Sequence, residues 1–241
     1  VTGSSQGIGY AIARGLGQAG AVLVINGRNE EKVAAAVGQL KAEGLQAHAA
    51  AFDVTDFKAT AAGVADVEDK VGPISILVNN AGVQRRGTLD TFDEAMWREI
   101  MSTNLDSIFY VSKPVAQRMI ARKTGSIINI CSVMSELGRP TVAPYTATKG
   151  GVKMLTKGMA IDWGKHGIRV NGIGPGYFKT ELNAALIADQ TFSGWIQGRT
   201  PLGRWGDLEE LVGAAVFLAS GASSFVTGHV LYVDGGMTAS L

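Results

Sequence analysis

Tyr145 and Lys149 stand four residues apart in the stretch CSVMSELGRPTVAPYTATK, which starts at Cys131. The chain turns helical there, so both side chains project from one helix face. A tyrosine hydroxyl ordinarily titrates near pH 10, and a fixed ammonium beside it favours the phenolate and lowers that value. Such a group can pass a proton near neutral pH. Just upstream, the apolar run of residues 127–130 leads to Ser132, which sets a hydroxyl at the carboxyl end of a buried strand. In open parallel sheets that edge is where ligands bind. Taken alone, these residues provide a proton donor of adjustable pKa without a reaction to serve.

The elements that must position them follow from periodicity. Residues 8–19 carry apolar side chains at helical spacing, and 21–26 (AVLVIN) form a short continuous apolar run typical of a strand buried on both faces. Helices are expected over 30–43, closed by Gly44, and over 56–71, 93–122, 144–165 and 207–220. Strands are expected over 46–52, 74–80, 125–132, 168–173 and 230–233. The opening VTG reads as the end of a further strand whose first residues precede Val1. This alternation predicts a single α/β domain over 1–241: a doubly wound (Rossmann) parallel sheet of about seven strands with helices on both faces. Residues 175–206 lack a clear period, and a loop of that length in a compact domain is usually functional, so the segment is the candidate substrate lid.

Composition narrows the function classes. The formal net charge is +1 over 241 residues, and the basic residues are scattered, so the footprint of a nucleic-acid binder is missing. No apolar run approaches the ~20 residues that span a bilayer, and no signal peptide is visible. A lone cysteine, Cys131, suits a reducing compartment, making a cytoplasmic setting the default. Beside Ser132 in an apolar strand it reads as a buried structural thiol. His48, His166 and His229 lack ligand spacing, and no metal site is assigned.

The opening Thr2-Gly3-Ser4-Ser5-Gln6-Gly7-Ile8-Gly9 follows a strand end and starts a helix. Its glycines permit a tight turn and close approach of a pyrophosphate, and the helix N-terminus offers free N–H groups to phosphate. The end of the next strand selects between the two nicotinamide dinucleotides. An acid there would bind the ribose 2′-OH, whereas an arginine accommodates a 2′-phosphate. The chain reads Asn26-Gly27-Arg28-Asn29, which predicts NADP(H).

Together with this loop, the NNAG of residues 79–82, Asn104, Ser132, the Tyr145-x-x-x-Lys149 spacing and Pro175-Gly176 resemble the short-chain dehydrogenase/reductase superfamily across almost the whole chain. The resemblance implies a tetrad. Tyr145 exchanges the proton with the substrate oxygen, and Lys149 lowers its pKa and holds the nicotinamide ribose. Ser132 hydrogen-bonds the substrate oxygen, and Asn104 supports a water-linked relay to Lys149. It further implies cofactor contacts from Gly3, Ser5, Gln6, Gly7, Ile8, Gly9, Arg28, Val54, Ala81, Gly82, Pro175 and Gly176, from Asp53 at the adenine, Asn79 near the adenosine side and Thr180 near the carboxamide or phosphates. A homotetramer is the assembly it implies.

Stretches such as NNAGVQRR, SELGR, PGYFKTE and RTPLGRWGD resemble the superfamily's sugar-acid oxidoreductases, which implies a small-molecule sugar acid as substrate. Its carboxylate needs an anchor, and arginine is suited to that task. Arg85 and Arg86 follow directly after NNAG, with Arg86 favoured; Tyr177, Trp195 and Arg199 are further candidates. The alternatives are reduction of another carbonyl, such as a 3-oxoacyl thioester or another sugar ketone, and a non-catalytic NADP-binding scaffold. The intact Asn, Ser, Tyr and Lys set argues against the scaffold.

Overall fold

The computed structural model describes residues 1–240. Helices and strands alternate: α1 (Gly7–Gln18), β1 (Leu23–Gly27), α2 (Glu30–Ala42), β2 (Ala47–Ala51), α3 (Phe57–Lys70), β3 (Ile76–Asn79), α4 (Glu94–Met101), α5 (Ser107–Arg122), β4 (Gly125–Ile130), α6 (Ala143–Gly164), β5 (Ile168–Pro175), α7 (Ala184–Ala188), α8 (Gln190–Arg199), α9 (Val212–Ala219) and β6 (Val230–Val233). Short polar side chains start four of the helices, α2, α3, α4 and α8. Asn29 caps α2 by accepting from the Lys32 N–H, and Asp56 caps α3 by accepting from Lys58 and Ala59. Gly44, at φ +83°, closes the turn after α2 in a conformation that costs a side-chain-bearing residue more.

Every strand pair is parallel. β1 pairs with β2, and β3, β4, β5 and β6 lie side by side in that order. The described strands therefore number six in two sheets, against an expected seven in one. Val1 and Thr2 bridge the gap: the Val1 amine donates to Val24 O at 3.0 Å, and the Thr2 N–H donates to Val78 O at 2.9 Å. One bond to each side ties the sheets together without making a ladder.

The sheet separates two apolar layers because strand side chains alternate faces. Ile128 and Ile130 pack with α1, α2 and α9, whereas Ile127, Cys131 and Val170 pack with α3, α5 and α6. Ile127 and Ile128 are fully buried, each worth about 1.5–3 kcal/mol of transfer free energy. A third cluster joins Val133, Met134 and Val142 to Ile196, Trp205 and Met237, fastening α8 over the carboxyl edge of the sheet.

Two elements differ from the sequence expectation. The helix expected over 93–122 contains a π-turn, Ser102–Asp106, which carries the buried Asn104. Such turns keep an unbroken helical path and the apolar period around them, so periodicity does not reveal them. The aperiodic 175–206 segment contains α7 and α8. Only Ile196 of α8 is buried, so that helix has no apolar stripe to read. Among the described residues no helix is long and apolar enough to cross a membrane.

Candidate active site

A cleft of about 520 Å³ runs along the carboxyl edge of the strands, from the glycine turn and Arg28 to Ser132, Tyr145 and Lys149. At one end the wall is backbone. Gly3 and Gly7 adopt φ of +58° and +59°, which bends the chain sharply into α1. A Cβ on Gly9 would fall 2.3 Å from Asn80 Nδ2 and 2.6 Å from the Gly3 carbonyl oxygen. Asn80 Nδ2 donates to the carbonyls of Thr2 and Gly3, and the Asn80 and Ala81 N–H groups donate to Thr2 Oγ1. The Asn26 amide completes the brace, donating to Ala50 O and Phe52 O while accepting from the Gly3 N–H. No side chain caps the start of α1, so its first N–H groups face the cleft with the helix dipole behind them.

Ser5, Gln6, Ile8, Asp53, Val54, Ala81, Gly82, Pro175, Gly176 and Thr180 line the same cleft. Arg28 reaches to 3.8 Å from Asp53 and keeps two thirds of its side chain exposed, beside Lys32. The residues present suit a phosphate-bearing dinucleotide: a glycine turn packed too closely at Gly3 and Gly9 to admit a Cβ, free N–H groups, and cations at the outer end.

Asn79 sits elsewhere. Its Nδ2 donates to Ser112 Oγ and Asn129 Oδ1 at 2.9 Å each, inside the protein behind β3, so the adenosine-side contact expected of it is corrected. Strand alternation is the reason: successive residues face opposite ways, and it is Asn80 that meets the cleft.

At the other end the wall is side chain. Ser132 is extended at the end of β4, and its Oγ accepts from the Met134 N–H. Lys149 is buried and donates from Nζ to Ile130 O at 2.7 Å, with Nζ 5.6 Å from the centre of the Tyr145 ring. Burial brings Lys149 down to about 8. Burial also pushes the Tyr145 hydroxyl above its ordinary value, opposed by a hydrogen bond with Ser132. The expected lowering of Tyr145 by Lys149 is therefore corrected: the ammonium is tethered to a carbonyl over the ring, and desolvation is the larger effect. Cys131, next to Ser132, is held as a thiol by burial, which raises it to about 11.

Asn104 lies behind this wall. Its Oδ1 accepts from the Val83 N–H at 2.7 Å and its Nδ2 donates to Val83 O at 2.8 Å, clamping the loop after β3. The side chain is thereby committed to the backbone, with a further 3.4 Å contact to Thr148 Oγ1. Among the described residues no three His, Cys, Asp or Glu side chains converge as a metal site.

The arginines divide. Arg85 points away and forms a two-pronged pair with Glu99 at 2.8 and 3.0 Å, which removes it as a carboxylate anchor. Arg86 lines the cleft. Arg139, which sequence reasoning did not single out, lines it too, stacked with its guanidinium carbon 5.2 Å from the Phe192 ring centre. The available signal was an arginine between Ser132 and Tyr145, in a loop that must border whatever those two residues contact. Of the lid candidates, Tyr177 lines the cleft, whereas Trp195 is half exposed against Phe192 and Arg199 bonds to Ser240.

This geometry matches known proteins closely. A family model described as enoyl-(acyl carrier protein) reductase matches residues 3–238. The chain is 58% identical to gluconate 5-dehydrogenase of Gluconobacter oxydans over 241 residues, covering all of this chain and 94% of the relative. It is 52% identical to 5-keto-D-gluconate 5-reductase of Escherichia coli K12, covering 98% and 93%. Among solved structures, a gluconate 5-dehydrogenase from Burkholderia cenocepacia in complex with NADP and tartrate superposes with TM-score 0.97 at 56% identity, covering all of this chain and 94% of that one.

Proposed function

The chain belongs to the short-chain dehydrogenase/reductase family, and from that premise we propose that it is an NADP(H)-dependent oxidoreductase that interconverts D-gluconate and 5-dehydro-D-gluconate. The observation that carries the reading is the convergence of Ser132, Tyr145 and Lys149 with Arg86 on one cleft that continues to the glycine turn and Arg28. Full-length relatives at 52–58% identity support the substrate, and the neighbour holding NADP supports the cofactor.

Bound NADPH would supply the hydride. Arg28 and Lys32, at the outer end of the cleft, would hold an adenosine-side phosphate, and the N–H groups opening α1 would hold the pyrophosphate. Ser132 Oγ and the Tyr145 hydroxyl hold the substrate oxygen. Tyr145, kept protonated by burial, donates the proton as that oxygen becomes an alcohol. Lys149, near 8, exchanges protons with its surroundings close to neutral pH and can restore the one given up. Asn104 acts by holding the Val83 loop in place, and α7 and α8 over the cleft form the substrate lid. Exposed Phe109, Met154 and Ile161 on α5 and α6 support assembly as a homotetramer, and the lone buried Cys131 supports a cytoplasmic setting.

The test follows NADPH and NADH absorbance with 5-dehydro-D-gluconate, 2-dehydro-D-gluconate and an acetoacetyl thioester. The reading expects fastest oxidation of NADPH with the 5-keto acid. Preferential reduction of the thioester, or no turnover with intact NADPH binding, would replace it.

A further inference from the structure

Arg86 and Arg139 come from different loops, one after β3 and one between β4 and α6, yet they border the same part of the cleft beside Tyr177. A hydrogen bond from the Gly87 N–H to Thr141 O, at 3.0 Å, stitches the loops together. Thr141 holds φ at +68°, a conformation a β-branched residue adopts only under constraint. Neither arginine has a carboxylate within 4 Å among the described residues, although Arg85 next door has one. Among the described residues Arg139 Nε is buried and has no hydrogen-bond partner, and the guanidinium lies over the Phe192 ring. A buried N–H left unpaired keeps its full desolvation penalty. Two like charges facing one cavity add to that cost: burial and the nearby Arg139 charge both lower Arg86 from its ordinary value.

We propose that Arg139, acting with Arg86, binds the carboxylate of the substrate and sets the preference for an acid over a neutral polyhydroxy ketone. An anion held between Arg86 and Arg139 relieves the repulsion between the two guanidinium groups. Arg139 lies seven positions after Ser132 and six before Tyr145. The loop that fixes the reacting oxygen therefore also fixes the far end of the substrate, so carboxylate binding and carbonyl placement are linked through one short segment. Phe192 belongs to α8, so closure of that helix over the cleft would also set the plane of the guanidinium. The proposal rests on the sugar-acid reading given above.

The experiment compares 5-dehydro-D-gluconate with L-sorbose, which keeps the same hydroxyl pattern and carries a CH2OH where the acid has its carboxylate. KM is measured for each with NADPH, or Ki for L-sorbose if it is not turned over, in wild type, Arg139→Gln and Arg139→Lys. Arg139→Gln should raise KM for the acid about 10- to 100-fold, the range for a lost hydrogen bond to a charged group. The constant for L-sorbose and the affinity for NADPH should hold. Arg139→Lys should recover part of the loss, because a lysine restores the charge without the fork. An unchanged acid KM in Arg139→Gln, or equal losses for acid and neutral ketone, would overturn the proposal while leaving the sugar-acid reading intact. A wild-type enzyme that does not reduce 5-dehydro-D-gluconate would overturn both.

Discussion

The two ends of the cleft are built from different material. Around residues 3–9 the shape comes from backbone: positive-φ glycines, carbonyls braced by Asn80 and Asn26, and helix N–H groups without a cap. Around Tyr145 it comes from side chains: a buried lysine on a carbonyl, a hydroxyl pair, and two arginines without acidic partners among the described residues. A backbone-built end recognises what all dinucleotides share and fails through shape. A side-chain end recognises one substrate and fails through chemistry, with the fold left standing.

The largest expected effect separates the two modes. Tyr145→Phe should lower kcat by about 10²- to 10⁴-fold while NADPH binding and the unfolding midpoint hold, because only the proton donor is removed. Calorimetric titration with NADPH beside steady-state rates reads this, and parallel loss of binding would erase the distinction.

Lys149 tests the cost of a charge buried at the side-chain end. Its folded value of about 8 lies below its ordinary 10.5. Between those values the unfolded chain holds a proton that the folded chain has released, so stability should rise with pH across that window. Below pH 8 both states are charged and the fold carries the full burden, on the order of 3 kcal/mol. Urea unfolding from pH 7.5 to 9.5 should show this slope in the wild type and lose it in Lys149→Met. Identical slopes would place the lysine in a better solvated environment than its burial indicates.

Gly9→Ala probes the backbone end. The added methyl would meet the Gly3 carbonyl oxygen at 2.6 Å, and a backbone atom cannot swing aside. Overpacking of this kind costs about 1–3 kcal/mol, so both the melting temperature and NADPH affinity should fall, with kcat at saturating cofactor close to wild type. A variant that melts and binds like wild type would show that the turn yields more readily than its bracing implies.

The smallest effect belongs to Arg28. Its side chain is two thirds exposed and faces Asp53 only at 3.8 Å, so solvent screens much of its charge. Arg28→Ala should reduce the ratio of kcat/KM for NADPH over NADH by about tenfold, or ~1.4 kcal/mol. An unchanged ratio would move the discrimination to Lys32.

Much of this was legible in the chain. The order of strands and helices follows from local periodicity, and the glycine turn from residues that tolerate positive φ. The Ser132, Tyr145 and Lys149 set follows from residue type and short spacing along one strand end and one helix. These are local properties, fixed within a few residues, and they determined the fold class and the reaction type without any coordinates. The tertiary structure decided what depends on distant partners. Glu99 removes Arg85 from the cleft, and strand alternation turns Asn79 inward and leaves Asn80 at the wall. The π-turn directs Asn104 onto the Val83 backbone. The sign of the Tyr145 shift follows from burial, and the approach of Arg139 to Arg86 from a hydrogen bond between residues 87 and 141. Burial and long-range pairing are sums over the whole packed molecule, so neither is encoded in the spacing of the residues they act on.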